Sequence, residues 1–300
     1  MITTRSSAEK RFRMLTLAMN SIIAACLLVS SFACARAEQI EMNIKELRQA
    51  KEKLLKDPKD KDALSLLLNQ LQDGRGIYRA NAAAVLGELG DVLSASVGAE
   101  AVPALSRLLE RDDATDQSAA ARALARYGPH VKPALPILRK RLFPSDRDVA
   151  WFSARAIGNV GSEAAEAVPD LLKAFKEQRN TCEGYFSSCC EFFIPAFGKI
   201  GASAKAAGPE LAELLNDNDV YLRMCAAVAL MRIDNSSSKA LKEIERLLKN
   251  PDVEVRNRTL TGLTDIGRDA APAKSFVEAA ATDADEGIRR QAKLLLSKLE

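Results

Sequence analysis

The sequence predicts an all-α, right-handed α-solenoid of about seven helical hairpins, and three observations carry that expectation. Apolar residues make up 47% of the chain and aromatic residues only 5%, with Ala and Leu dominant; such a composition favours helix over strand. An apolar residue followed by Gly recurs at a nearly fixed step. Between these pairs, small and apolar residues return at the three- and four-residue spacing of one helix face.

The pairs that close each unit are Leu89-Gly90, Tyr127-Gly128, Val160-Gly161, Ile200-Gly201, Ile233-Asp234, Ile266-Gly267 and Leu299-Glu300. The steps between them are 38, 33, 40, 33, 33 and 33 residues. A period of this kind marks a repeat array, and the two long steps read as the same unit with five and seven residues inserted. Length alone would suggest two domains, but a repeat array is one continuous body.

Residues 1–37 stand apart from the rest. Arg5, Lys10, Arg11 and Arg13 precede an uncharged run from Leu15 to Phe32, and Ala35-Arg36-Ala37 offers small residues where a signal peptidase reads. This is the pattern of a secretory signal cleaved after Ala37. Two other fates are open to it. The run is nearly long enough to be retained as a membrane anchor, and Ile23-Ala24-Ala25-Cys26 is similar to a bacterial lipobox. All three place residues 38–300 outside the cytoplasm, in the periplasm or beyond the cell, and contact with a membrane is expected only if the segment is retained or lipidated. The segment holds five Lys/Arg and one acid, Glu9, so the remainder has 38 basic and 39 acidic residues and a net charge of −1. Whole-chain charge therefore offers no argument for nucleic acid.

Residues 38–57 are predicted to form a capping helix, since "IEMNIKELRQAKEKLLK" is amphipathic and can cover the apolar flank of the first unit. Residues 58–300 form the array, each unit two helices. The second helix, helix B, begins with Asp in five units: Asp113, Asp146, Asp219, Asp252 and Asp285. Asp there accepts bonds from the first free N–H groups of the helix. Arg223, Arg256 and Arg289 stand four residues later and are expected to bond to turn Asp residues between repeats. Gly at the close supplies the left-handed turn that ends a helix. The first helix of the next unit, helix A, has Val102-Pro103, Leu135-Pro136, Val168-Pro169 or Gly208-Pro209 near its start, where the missing N–H costs little. This frame also settles "ARAIGNVGSEAAEAVPDLL" (154–172). Its glycines end a helix B; a phosphate loop would need a preceding strand and a following Lys-Ser/Thr pair. The last helix, 286–299, is expected to cap the other end.

The recurring frame of Asp, Arg, "AAxALGx", apolar-Gly and "AVPxL" resembles the HEAT-like repeats, the type also found in phycobilisome-lyase-like proteins. The likeness covers about residues 60–300. The ankyrin and tetratricopeptide signatures of similar length are missing. The resemblance implies a scaffold that binds a protein or peptide along a concave face lined by helix B.

Catalytic and metal-binding patterns are not found. His130 is the single histidine, and a metal site or a His-based triad needs partners at defined spacing. The chain is therefore read as a non-enzymatic scaffold without catalytic residues, cofactor or metal, expected to act as a monomer. Two other classes are weighed against it. A binder of nucleic acid or another anionic ligand would draw on local basic charge, against export and the acidic balance. A chromophore-lyase-type enzyme is implied only by the type of repeat.

Four cysteines follow the leader: Cys182, Cys189, Cys190 and Cys225. An even count in an exported chain permits two disulfides. One pairing joins 182 to 189 and 190 to 225; exchanging 189 and 190 is the alternative. Unpaired buried thiols and a four-Cys zinc site also stay open, though the zinc site lacks a Cys-x-x-Cys knuckle.

Counting each helix B from its Arg position as zero, offsets 3, 4 and 7 should be buried and offsets 2, 5 and 9 should face the hollow. In units two to five the latter carry Arg122, Arg126, Phe152, Arg155, Asn159, Phe192, Lys199, Val228 and Arg232, with no acid. A docking groove with aromatic anchors and a plain solvated helix face are both compatible with this stripe. The insertion at 178–190 is either a recognition element or a tolerated loop.

Overall fold

The computed structural model describes residues 37–143, 146–181 and 192–299. Residues 1–36, which hold almost all of the segment expected to act as an export signal, and Cys182, Cys189 and Cys190 lie outside the described residues. Among the described residues all regular structure is helical, and the chain is an all-α solenoid.

Helix α1 spans 37–56 and puts Asn43, Leu47, Ala50 and Leu54 on its buried face. Their spacing is that of one helix stripe, and the stripe joins the common core. Lys51 on its outer side pairs with Glu88 of the first unit. Two helices follow, α2 (Lys61–Asp73) and α3 (Gly76–Glu110). After them come α4 (Ala114–Leu124), α5 (Leu135–Lys140), α6 (Arg147–Val160) and α7 (Val168–Thr181). The second half holds α8 (Ile194–Ile200), α9 (Gly208–Leu214), α10 (Val220–Ile233), α11 (Ser238–Leu248), α12 (Val253–Ile266), α13 (Lys274–Ala280) and α14 (Glu286–Leu299).

The Asp caps are in place. Asp113, Asp146, Asp219, Asp252 and Asp285 accept from backbone N–H groups two or three residues on, at 2.8–3.0 Å. Offsets 3, 4 and 7 are buried in the first six units, as at Ala82, Ala83 and Leu86 or Ala226, Ala227 and Leu230. In the last helix Lys293 takes offset 4 and is exposed, as is Leu294 beside it.

Two features differ from the sequence expectation. Gly90 does not end a helix: α3 runs through it, bends at Leu93 (φ −123°, ψ 22°) and carries Pro103 inside. It is apolar and long enough to cross a membrane, and its apolar side chains, Leu86, Leu89, Val97, Leu105 and Leu109 among them, are buried in the solenoid core. At four other joints the link between units is a seven-residue 3-10 helix, Gly128–Ala134, Gly161–Ala167, Gly201–Ala207 and Gly267–Ala273, whereas after Ile233 a short turn leads to the Ser237 cap of the next helix. Each 3-10 helix opens on a Gly with φ between +56° and +76°, a conformation other residues adopt at a cost. The third and sixth residues after that Gly are buried in every case, for example Ala164 and Ala167, as three residues per turn requires.

Close stacking depends on Gly facing Ala. A Cβ on Gly87 would lie 3.0 Å from Ala123 Cα, on Gly158 2.6 Å from Ala196 Cα, and on Gly198 3.2 Å from Ala229 Cα. The Arg at offset zero ties successive units together. Arg79 bonds the Gly74 carbonyl at 2.6 Å and Asp116 of the next unit at 2.9 Å. Arg223 bonds the Asp217 carbonyl and Glu243; Arg256 bonds the Asn250 carbonyl and Asp283. The carboxylate thus comes from the following unit, from a turn in one case and a helix in others, and the turn contributes mainly carbonyl oxygens.

Candidate docking face on the second helices

Offsets 2, 5 and 9 of α4, α6, α8 and α10 form one face because 3.6 residues per turn brings them to the same side. None of the eight candidate binding residues is buried. Their surroundings divide them into two groups.

In the first half of the face the cations are engaged. Arg126 is bound by Asp91, which stands just beyond Glu88 on α3. This bond, opposed by desolvation and helped by the charges of Asp91 and Glu88, raises the pKa of the guanidinium. Arg122 lies 3.5 Å from Asp148 and 4.8 Å over the ring of Phe152. Phe152 in turn meets Phe192 edge-on at 5.2 Å, and Phe192 stacks with Trp151 at 5.8 Å. The two phenyl rings are half-buried members of an aromatic cluster against the core. A groove of about 510 Å³ between α3 and α4 is lined by Ala84, Gly87, Glu88, Arg122 and Arg126.

In the second half the cations make no ion pair among the described residues. Asn159 donates to the Ala125 carbonyl at 2.6 Å and accepts from Lys199 at 2.6 Å. Lys199 makes no ion pair among the described residues, and neither do Arg155 and Arg232. The Lys199 ammonium is held below its ordinary pKa, first by desolvation and then by the like charges of Arg155 and Arg232, with Asp265 opposing. Three cations therefore share one neighbourhood. Beside them a groove of about 410 Å³ opens between α8, α10 and α12, with Met224, Val228 and Ile266 on its apolar floor and Lys199, Arg232 and Asp265 at its edges.

The offset count missed Asp91, Asp148 and Asp265. Asp91 and Asp265 belong to units one and six, outside the four units counted, and Asp148 sits near the start of α6. Cys225 lies half-buried on the wall of the second groove. The proposed pairings of Cys225 with Cys189 or Cys190, and of Cys182, fall on positions outside the described residues. His130 is exposed in the first of the 3-10 joints.

Stacked helical hairpins with short joints and a face of second helices define a repeat protein of the α-solenoid class. A model of HEAT repeats matches residues 64–149 and 208–297. That is more than half of the chain, and the chain belongs to the HEAT-repeat family. A stretch of 83 residues is 34% identical to the protein SkfG of Bacillus subtilis (strain 168), covering 28% of this chain and 44% of that one. The chain thus spans less than half the length of the curated relative it matches. Among solved structures, an engineered protein is similar with a TM-score of 0.56 at 21% identity, over 87% of this chain and 74% of that one. The complex of CpcE and CpcF of phycocyanin lyase from Nostoc sp. PCC7120 is similar with a TM-score of 0.54 at 24% identity, over 79% of this chain and 94% of that chain. Both likenesses are of fold.

Proposed function

We propose that the chain is a non-enzymatic scaffold, exported by residues 1–37, that docks a protein or peptide partner on the concave face formed by its second helices. The observation that carries this reading is the cluster of Arg155, Lys199 and Arg232, three cations without an ion-pair partner among the described residues, beside an apolar groove. Clustering like charges opposes the folded state, so a cluster that serves stability alone has no physical rationale. An acidic partner segment would relieve it. Export and the near-zero charge of residues 38–300 favour a protein over nucleic acid as that partner. The CpcE and CpcF pair shows two proteins of a complex in a related fold, and for this chain the partner proposal rests on the cations. The monomer is taken as the working unit.

The test is capture from envelope extract by the exported chain, by a variant carrying Arg155→Glu, Lys199→Glu and Arg232→Glu, and by a control carrying Lys249→Glu, which lines neither groove of the face. Circular dichroism checks that all three are folded. A partner held by the parent and the control but lost by the triple variant supports the docking face; equal retention by the triple variant refutes it.

A further inference from the structure

Two grooves on the docking face have similar size, and only one has charge to offer. Between α3 and α4 the cations already hold carboxylates: Arg126 has Asp91 and Arg122 has Asp148. In the groove between α8, α10 and α12, Arg258 is likewise occupied, by Glu254 at 2.6 Å and by the ring of Tyr221 at 4.9 Å. Lys199 and Arg232 are the cations left on its edge, and Arg155 adds positive charge from the neighbouring helix. The floor between them is apolar because the helices are stripped of bulk there. A Cβ on Gly262 would lie 2.9 Å from Val228, so α12 approaches closely, and the half-buried Met224 and Val228 line the groove together with the edge of the buried Ile266.

Resting on the docking face proposed above, we infer that this groove takes an extended acidic segment of a partner protein. One carboxylate sits between Lys199 and Arg232, and a neighbouring aliphatic side chain lies on Met224, Val228 and Ile266. A carboxylate held by two cations gains charge-assisted hydrogen bonds, and an aliphatic group on the floor adds burial that a phosphate chain lacks. A nucleic-acid backbone, by contrast, needs a track of cations, and here Asp265 closes the track after Arg232. Asp265 also repels a second carboxylate at that end, which limits where the acid can sit.

The experiment uses the chain as the cell exports it and a fluorescent twelve-residue peptide of alternating Glu and Leu. Its comparison probes are the same peptide with Glu replaced by Gln, the same with Leu replaced by Ser, and a single-stranded oligonucleotide of equal charge. The inference expects each replaced peptide to bind at least tenfold more weakly than the parent peptide. It expects Arg232→Gln and Lys199→Gln to weaken binding to a similar degree, Lys249→Gln, which does not line the groove, to leave it unchanged, and Asp265→Asn to tighten it several-fold. Equal binding of the Ser peptide removes the apolar floor from the argument and overturns the inference, as does an oligonucleotide that competes as well as the peptide. If no peptide binds while the triple variant still loses its envelope partner, this groove is wrong and the docking face stands. If the triple variant retains that partner as well, both fall.

Discussion

Lys199 Nζ donates to Asn159 Oδ1 at 2.6 Å, and the same Asn159 side chain donates through Nδ2 to the Ala125 carbonyl at 2.6 Å. One amide therefore connects three successive second-helix segments and fixes where the Lys199 ammonium points. Asn159→Ala removes both bonds. With about 1 kcal/mol for each, the expected loss is about 1–2 kcal/mol in urea denaturation. Freed from its acceptor, Lys199 should also hold an acidic peptide more weakly, and the two effects can be measured on the same preparation.

Gly158→Ala tests the close stacking. Its Cβ would meet the Ala196 Cα at 2.6 Å, which is backbone and has little room to yield, whereas the Cβ of Gly198→Ala would meet Ala229 Cα at 3.2 Å. Helix propensity favours Ala over Gly by about 1 kcal/mol, so packing decides the sign. Gly158→Ala should destabilise by about 1–3 kcal/mol, the range for overpacking a tight core, and Gly198→Ala by clearly less. Gly208→Ala is the control. Gly208 has helical φ and ψ and nothing within 4 Å, so the change should raise stability by up to about 1 kcal/mol. Destabilisation at Gly208 comparable to that at Gly158 would remove packing as the explanation.

Much of the architecture was legible from the periodicity because most units repeat the same local rules: an Asp cap in five of them, buried offsets 3, 4 and 7 in the first six, and a closing Gly with positive φ in four. The exception at Gly90 was not, because whether a helix stops at Gly or runs on through a bend at Leu93 is decided by the packing of its neighbours and not by the Gly itself. The 3-10 joints did leave a signal, small or apolar residues three and six positions after the Gly, as at Val131 and Ala134. Their period of three simply differs from the helical one. For the docking face, the offsets identified which side chains share a side, while pairing depends on contacts between different units, as between Arg122 and Asp148 or Arg126 and Asp91. Arg126 and Arg155 look alike in sequence; Asp91 separates them in space.

Asp116 is fully buried between Arg79 and Arg111, at 2.7 Å and 3.1 Å, with the Arg79 side chain 12% exposed and that of Arg111 49% exposed. Removing the acid strands a nearly buried guanidinium, the situation in which breaking an ion pair costs most. Asp116→Ala should destabilise by about 3–5 kcal/mol. Arg111→Ala removes an exposed partner while Asp116 keeps Arg79, so its cost should stay within about 1 kcal/mol. Chemical denaturation of the two variants side by side distinguishes them, and similar losses would show that the Arg79 bond is not the dominant one.

Asp283 accepts from the Asp285 N–H at 2.8 Å and from Arg256 Nη2 at 2.9 Å. Desolvation pushes its carboxyl pKa up. The backbone bond, the bond from Arg256 and the charges of Arg256 and Arg289 outweigh that, and the net result lies below the ordinary value. A carboxyl whose folded pKa is depressed contributes stability that is fully present above its unfolded pKa, about 3.9. That contribution is lost as pH falls through the folded value. The unfolding free energy, followed by urea titration from pH 7 down to about pH 3, should therefore decline most steeply below about pH 4. Asp283→Asn should lie lower at neutral pH and converge on the parent in acid, because the parent has by then lost the same charge. Parallel curves across the whole range would show that Asp283 acts through its hydrogen bonds alone and that its ionisation is not coupled to folding.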